Sequence, residues 1–173
     1  YITKVANTTY GNFYLKDATG EVYVYGTLDA NGQTKQWANM GIKEGDIVTV
    51  VGPKSSYKGS PQRVNVSVEK HTPVTDVTVS EFLAKSDNSS VYYRIKGNVA
   101  NIKNTTYGNF DIVDETGSVY VYGLTNGWGG PSKAFESFGI NEGDNLTLIG
   151  VRSSYKGTAQ VGSAFYVAHT PAN

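Results

Sequence analysis

The chain repeats itself. Asn-Thr-Thr-Tyr-Gly-Asn-Phe at residues 7–13 recurs unchanged at 104–110, and Val-Tyr-Val-Tyr-Gly at 22–26 recurs at 119–123. Gly-Ile-Lys-Glu-Gly-Asp at 41–46 answers to Gly-Ile-Asn-Glu-Gly-Asp at 139–144, Ser-Ser-Tyr-Lys-Gly at 55–59 returns at 153–157, and both copies end in His-Thr-Pro, at His71 and His169. The blocks keep their order, and the offset slips by one residue, within 27–40 against 124–138. A period near 97 residues is longer than the roughly 20–50 of solenoid repeats, so each copy must close a core of its own.

The second copy opens with Val-Tyr-Tyr-Arg-Ile-Lys-Gly at 91–97, which has no counterpart before Tyr1. The expectation is a first domain over residues 1–73 that lacks the front half of its first strand, in a parent protein that continues upstream, with the missing edge exposed. A second domain is expected over 91–173. Between them, residues 74–90 read as a linker holding a short helix at 80–85, followed by the polar run 86–90.

Each copy has the marks of strands. Twenty glycines, 13 tyrosines and many Val, Thr, Asn and Ser describe a β-rich chain with polar turns. In the second copy Tyr93, Ile95, Val99 and Ile102 lie on one long strand bent at Gly97. Phe110 and Ile112 alternate with Asp111 and Val113, and a turn at 114–117 leads into 119–122. A glycine-rich loop at 126–130 and a short helix at 131–138 precede the turn at 141–144 and two more strands, 145–149 and 160–167. The order is β-β-β-α-β-β.

That order, with its glycine-bent first strand, its Phe-x-Ile/Leu-x-Asp-x-x-Gly hairpin and Glu-Gly-Asp leading into strand four, resembles the OB-fold over almost the whole chain, twice. The resemblance implies an all-β architecture of two tandem five-stranded OB-fold Greek-key barrels, each with a short helix between strands 3 and 4. More narrowly, Asn-Thr-Thr-Tyr-Gly-Asn-Phe with Asp-x-Thr-Gly-x-Val-Tyr-Val-Tyr-Gly is similar to OB-fold modules in exported proteins and lipoproteins of gut bacteria, customarily labelled nucleic-acid binders. It implies an exported, periplasmic or cell-surface location and a larger parent protein.

OB-folds bind oligonucleotides or oligosaccharides on the outer face of strands two and three and in the loops after strands one and four. Alternation along a strand puts Tyr14 and Lys16 outside with Phe13 and Leu15 inside, and Tyr23 and Tyr25 outside Val22 and Val24. Tyr120 and Tyr122 stand likewise outside Val119 and Val121. The loops add Tyr10 and Tyr107 after strand one, and Tyr57 with Lys58, or Tyr155 with Lys156, after strand four. Bases or sugars stack on such rings. Cross-strand pairing and turn chemistry account for the same residue types without a ligand.

Charge narrows the partner. Lysine plus arginine number 15 and aspartate plus glutamate 15, so no strong basic field exists. The first copy carries eight basic and six acidic residues, and the second six of each from Val91 on. Where the first copy has Tyr14 and Lys16 the second has Asp111 and Val113, so a polyanion is expected on the first. Single-stranded nucleic acid is the leading partner, a glycan the alternative, and a protein-interaction scaffold the third.

Chemistry has little to draw on. With no cysteine and two histidines, a thiolate site, a disulfide framework and a histidine-rich metal centre are excluded. No nucleophile has a base beside it, so no catalytic residue, metal or cofactor is expected. No apolar run reaches the roughly 18 residues of a membrane helix. His71 and His169 read as strand-ending or interdomain hydrogen-bonding residues, and Asp17, Asp114, Asp46 and Asp144 as turn residues. Trp37 and Phe135 read as barrel plugs, as do Met40 and Phe138. Trp128 closes a barrel end or stacks on a sugar.

Overall fold

The structure is a computed structural model that describes residues 1–172. The duplication takes the form of two compact units, Tyr1–Pro73 and Val74–Asn173. Both are built almost entirely of strands, each around its own sheet. No helix among the described residues is long and apolar enough to cross a membrane.

The first unit contains β1 (Ile2–Asn7), β2 (Asn12–Asp17), β3 (Gly20–Leu28), β4 (Ile47–Val51), β5 (Lys54–Tyr57) and β6 (Ser60–Thr72). They pair in the order β1-β2-β3-β6-β4, with β5 beside β6, and β3 runs parallel to β6. The second unit contains β7 (Val74–Asp76), α1 (Val79–Leu83), β8 (Asn88–Asn104), β9 (Asn109–Asp114), β10 (Gly117–Tyr122), β11 (Leu124–Thr125), β12 (Asn145–Tyr155) and β13 (Thr158–Thr170). Here the pairings run from β10 through β9, β8 and β12 to β13, and β13 returns to β10 in parallel, Tyr120 opposite Gln160. The ladder closes into a ring.

Three expectations change in detail. The five expected strands per copy are joined by short extra ones, for reasons visible in the sequence. One strand of the second unit, β12, corresponds to β4 plus β5 of the first, where Pro53 stands in place of Val151 and cannot donate to a ladder. The helices expected between strands three and four are single 3-10 turns, Trp37–Asn39 and Phe135–Phe138. Residues 74–90, expected as a linker, are built into the second unit. There β7 pairs with β8, and α1 starts at a capping box between Thr78 and Glu81. The α1 N-terminus is held by the β9–β10 turn: the Val79 N–H donates to Asp114 Oδ2 at 2.9 Å and the Ser80 N–H to Thr116 Oγ1 at 2.9 Å.

Alternation fills the cores. Phe13, Val24, Trp37, Val48 and Val66 are buried in the first unit, as are Phe110, Ile112, Val121, Phe135 and Leu146 in the second. Full burial of each such side chain is worth roughly 1.5–3 kcal/mol. The repeated heptapeptide serves this packing. Asn7 Oδ1 accepts from the N–H groups of Thr9 and Tyr10, and Asn104 Oδ1 from those of Thr106 and Tyr107, which shapes the loop. The glycine that follows makes room for the plug: at φ 85° Gly108 lies against the Phe135 ring, and at φ 73° Gly11 lies against Trp37.

The first strands differ. In both units a central pair of bonds ties strand one to the turn before strand four, Ile2 N–H to Asp46 O at 2.9 Å and Val99 N–H to Asp144 O at 2.9 Å. In the second unit β12 then continues along β8, from Leu146 opposite Gly97 to Val151 opposite Tyr92. No strand among the described residues runs along that edge of β4. Val51 there is 54% exposed, beside a cavity of about 330 Å³ that Leu15, Val22 and Val50 also line.

Replacing Gly108 with alanine forces a Cβ into the Phe135 ring at a left-handed backbone position. The variant is expected to lose about 2–4 kcal/mol of stability in urea unfolding. Acid acts on the turn carboxylates. Asp17 is held below its ordinary value of 3.8 by the Thr19 hydroxyl and N–H. Partial burial pushes Asp114 up, but the Thr116 hydroxyl and the N–H groups of Val79, Thr116 and Gly117 outweigh it. Asp144 is lowered by the N–H groups of Asn141 and Ala172. A folded pKa below the unfolded one adds stability above the unfolded value that is lost as pH falls through the folded value. The urea midpoint is therefore expected to hold from pH 7 to about 5 and to drop below about pH 4, and Asp114→Asn is expected to shrink that drop.

Candidate nucleic-acid interface

In each sheet the side chains that alternate with the core rows stand outside. In the first unit β2 and β3 set Tyr14 opposite Tyr23, and their rings meet at 4.8 Å between centroids, tilted by 53°. Parallel pairing then places Gln62 of β6 opposite Tyr23 and Val64 opposite Tyr25. The β5–β6 hairpin, with Lys58 at φ 50° and Gly59 at φ 83° in its turn, brings Tyr57 and Lys58 to the same place. Together Tyr14, Tyr23, Tyr25, Tyr57, Lys58 and Gln62 border a cavity of about 760 Å³. Tyr25 and Tyr57 are more than half exposed.

This site can stack and donate. Burial, then the neighbouring Tyr14 and Tyr25, push the Tyr23 phenol up against an opposing bond to Asn12, so it stays a neutral O–H donor at neutral pH. Lys58 Nζ lies 5.4 Å from the Tyr57 ring centre and supplies the positive charge at the rim. Two of the residues expected to bind a ligand do not line this cavity. Lys16 stands opposite Glu21 at the far end of the β2–β3 pair. Tyr10 sits in the first loop, with Lys35 Nζ 5.5 Å from its ring. Gln62 was not among the expected site residues, because only the parallel register of β3 and β6 brings it beside Tyr23.

The equivalent face of the second unit is divided. Asp111 replaces Tyr14 opposite Tyr120 and accepts from Asn101 Nδ2 at 2.9 Å. Burial, then Tyr122 and Asp111, raise the Tyr120 phenol, and Lys103 Nζ lies 5.4 Å from its ring. Tyr122 instead joins Tyr107 around a separate cavity of about 490 Å³. Tyr155 and Lys156 form a hairpin-tip pair at 5.4 Å, as Tyr57 and Lys58 do.

The remaining aromatic and histidine positions are structural. Trp37 packs on Phe13 at 5.4 Å and Phe135 on Phe110 at 5.6 Å. Phe138 stacks on Tyr166 at 4.5 Å, and Met40 packs against the first core. Trp128 meets Phe165 edge-on at 5.9 Å and Tyr92 at 5.4 Å while staying 39% exposed. Each histidine bonds within its own unit: His71 Nε2 to Asp46 Oδ2 at 2.7 Å, and His169 Nδ1 to the Tyr166 hydroxyl at 2.6 Å. Among the described residues no group of three or more His, Asp or Glu is placed to hold a metal.

No protein-family profile matches this chain, and no curated protein matches it. Solved structures do. A murine DNA-binding protein bound with double-stranded DNA is similar at 15% identity and a TM-score of 0.41, over 96% of this chain and 90% of that one. The tetrameric p202 HIN2 is similar at 14% identity and a TM-score of 0.42, over 93% and 83%. The p204 HINb domain is similar at 11% identity and a TM-score of 0.42, over 96% and 90%. Likenesses this distant assign no ligand to the chain.

Proposed function

We propose that the chain is a noncatalytic binding module of two OB-folds, the first of which holds a single-stranded nucleic acid. The fold reading rests on the pairing order of strands one, two, three, five and four, with strand three parallel to strand five, in both units. The functional reading rests on one observation: four tyrosines from two strands and a hairpin border one open cavity with a lysine at its rim. A row of rings spaced by strand geometry stacks successive bases without reading them, and Lys58 faces the backbone. Asp111 in place of Tyr14 makes the second unit the weaker partner for a polyanion.

The absence of a basic field sets the character of the binding. Stacking, rather than phosphate contact, carries the affinity, so salt weakens it only gently. The low charge and the Asn-, Ser- and Thr-rich composition support the exported setting expected from the sequence.

Fluorescence anisotropy with a labelled oligo-dT of about twelve nucleotides tests this reading. Tyr23→Ala and Tyr25→Ala are each expected to weaken binding about tenfold to a hundredfold, matching roughly 1–3 kcal/mol per stacked base. Tyr120→Ala is expected to change it less than threefold. With one or two phosphate contacts the log–log salt slope is expected near about −1. Undetectable binding, or binding indifferent to both first-unit substitutions, contradicts the reading.

A further inference from the structure

The two copies diverge most informatively around the glycine that ends Val-Tyr-Val-Tyr-Gly. In the first unit that glycine, Gly26, is covered. A Cβ built on it meets Asn65 Oδ1 at 2.6 Å, and its N–H donates to Asn12 Oδ1 at 2.7 Å. The position is filled and its polar atoms are satisfied.

The second unit has the same frame with the filling removed. The register places Ser163 where the first unit has Asn65, and both hold left-handed backbones, φ 48° and 47°. The shorter side chain leaves Gly123 open: the nearest atom to a Cβ built there is Tyr107 O, at 3.9 Å. Asn109, the counterpart of Asn12, has a buried Oδ1 with no hydrogen-bond partner among the described residues. The space is a cavity of about 490 Å³ lined by Tyr107, Asn109, Tyr122, Gly123, Ser132 and Ser163. A buried carbonyl oxygen without a donor is destabilising, and a ligand that supplies the donor recovers that cost.

We propose that this cavity is a binding site for one neutral, hydroxyl-bearing ring, a monosaccharide unit at the end of or within a glycan. Its chemistry selects that class. Tyr107 and Tyr122 offer aromatic faces at the rim, 42% and 63% exposed, against which the C–H face of a pyranose packs. The Ser132 and Ser163 hydroxyls serve the sugar's hydroxyls, a small rotation of the Asn109 side chain is needed to present its unpartnered Oδ1 to another, and the bare Gly123 lets the ring approach the backbone. Asp111, two residues along β9 on the same face, disfavours a phosphodiester. Lys133, with Nζ 5.7 Å from the Tyr107 ring, is the cation beside the cavity. The site stands apart from the tyrosine face of the first unit and does not depend on the function proposed for it.

The duplicate supplies the control. Ser163→Asn restores the first unit's side chain at a backbone position that suits asparagine better than serine, so the variant is expected to fold with unchanged or raised Tm. Amide resonances of the full chain are followed while methyl α-D-mannoside, methyl β-D-glucoside, N-acetylglucosamine and an oligo-dT are added in turn. The expected result is a saturable shift of Gly123, Thr125 and Ser163 with at least one sugar, weakened tenfold or more in Ser163→Asn. Three results overturn the proposal: no sugar moves these resonances, the oligo-dT alone moves them, or the sugar response survives Ser163→Asn. Oligo-dT binding on the first unit is expected to be the same in wild type and Ser163→Asn, so a failure here is separable from a failure of the nucleic-acid reading.

Discussion

The parallel pairing of the third strand with the last one is the constraint on which the rest depends. Tyr23 opposite Gln62, and Tyr120 opposite Gln160, bring the chain's last long strand back to the middle of the sheet. That pairing gives each sheet a core side and an outer side. Once Val24 and Val121 are committed to the core, the tyrosines on either side have no place but the surface, since alternation along a strand admits no other arrangement. The aromatic face is thus a by-product of packing the core. It is retained in both copies because the Val-Tyr-Val-Tyr pattern serves the core first.

Duplication then allowed the copies to part. Shared between them are the elements that build each sheet and its core: the asparagine that shapes the first loop, the glycine that seats the plug ring, and the buried aspartate before strand four. The buried pairs Trp37 against Phe135 and Val48 against Leu146 differ in size and shape, whereas the changes of chemistry at Tyr14 and Asn65 lie at the surface. Tyr14 against Asp111 changes a stacking ring into a charge, and Asn65 against Ser163 changes a filled position into a cavity. One scaffold with two unlike faces is the outcome expected when core positions are held by packing and surface positions are free to vary.

Much of this was legible in the sequence. The repeat fixed two units, alternation separated Phe13 and Val24 from Tyr14 and Tyr23, and Asp-x-Thr-Gly located both hairpins, because each rests on spacing along a few residues. The helix between strands three and four is only a 3-10 turn in each unit, built around one buried ring, Trp37 or Phe135. Residues 74–90 read as a linker because α1 is anchored by Asp114 and Thr116, 35 and 36 residues away, a contact no local pattern reveals. Likewise Lys16 left the expected site and Gln62 entered it through strand register, and the second cavity depends on one side chain, Ser163, whose meaning comes only from its partner position in the other copy.

The two tyrosine-bearing faces have diverged, and the first is proposed to hold a single-stranded nucleic acid. Mapping an oligo-dT onto the full chain by amide chemical shifts tests it most directly. Saturable shifts are expected around Tyr14, Tyr23, Tyr25, Tyr57 and Lys58, with the matching positions Asp111, Tyr120, Tyr122, Tyr155 and Lys156 moving little. Equal shifts on both units, or shifts gathered on the second, would contradict it.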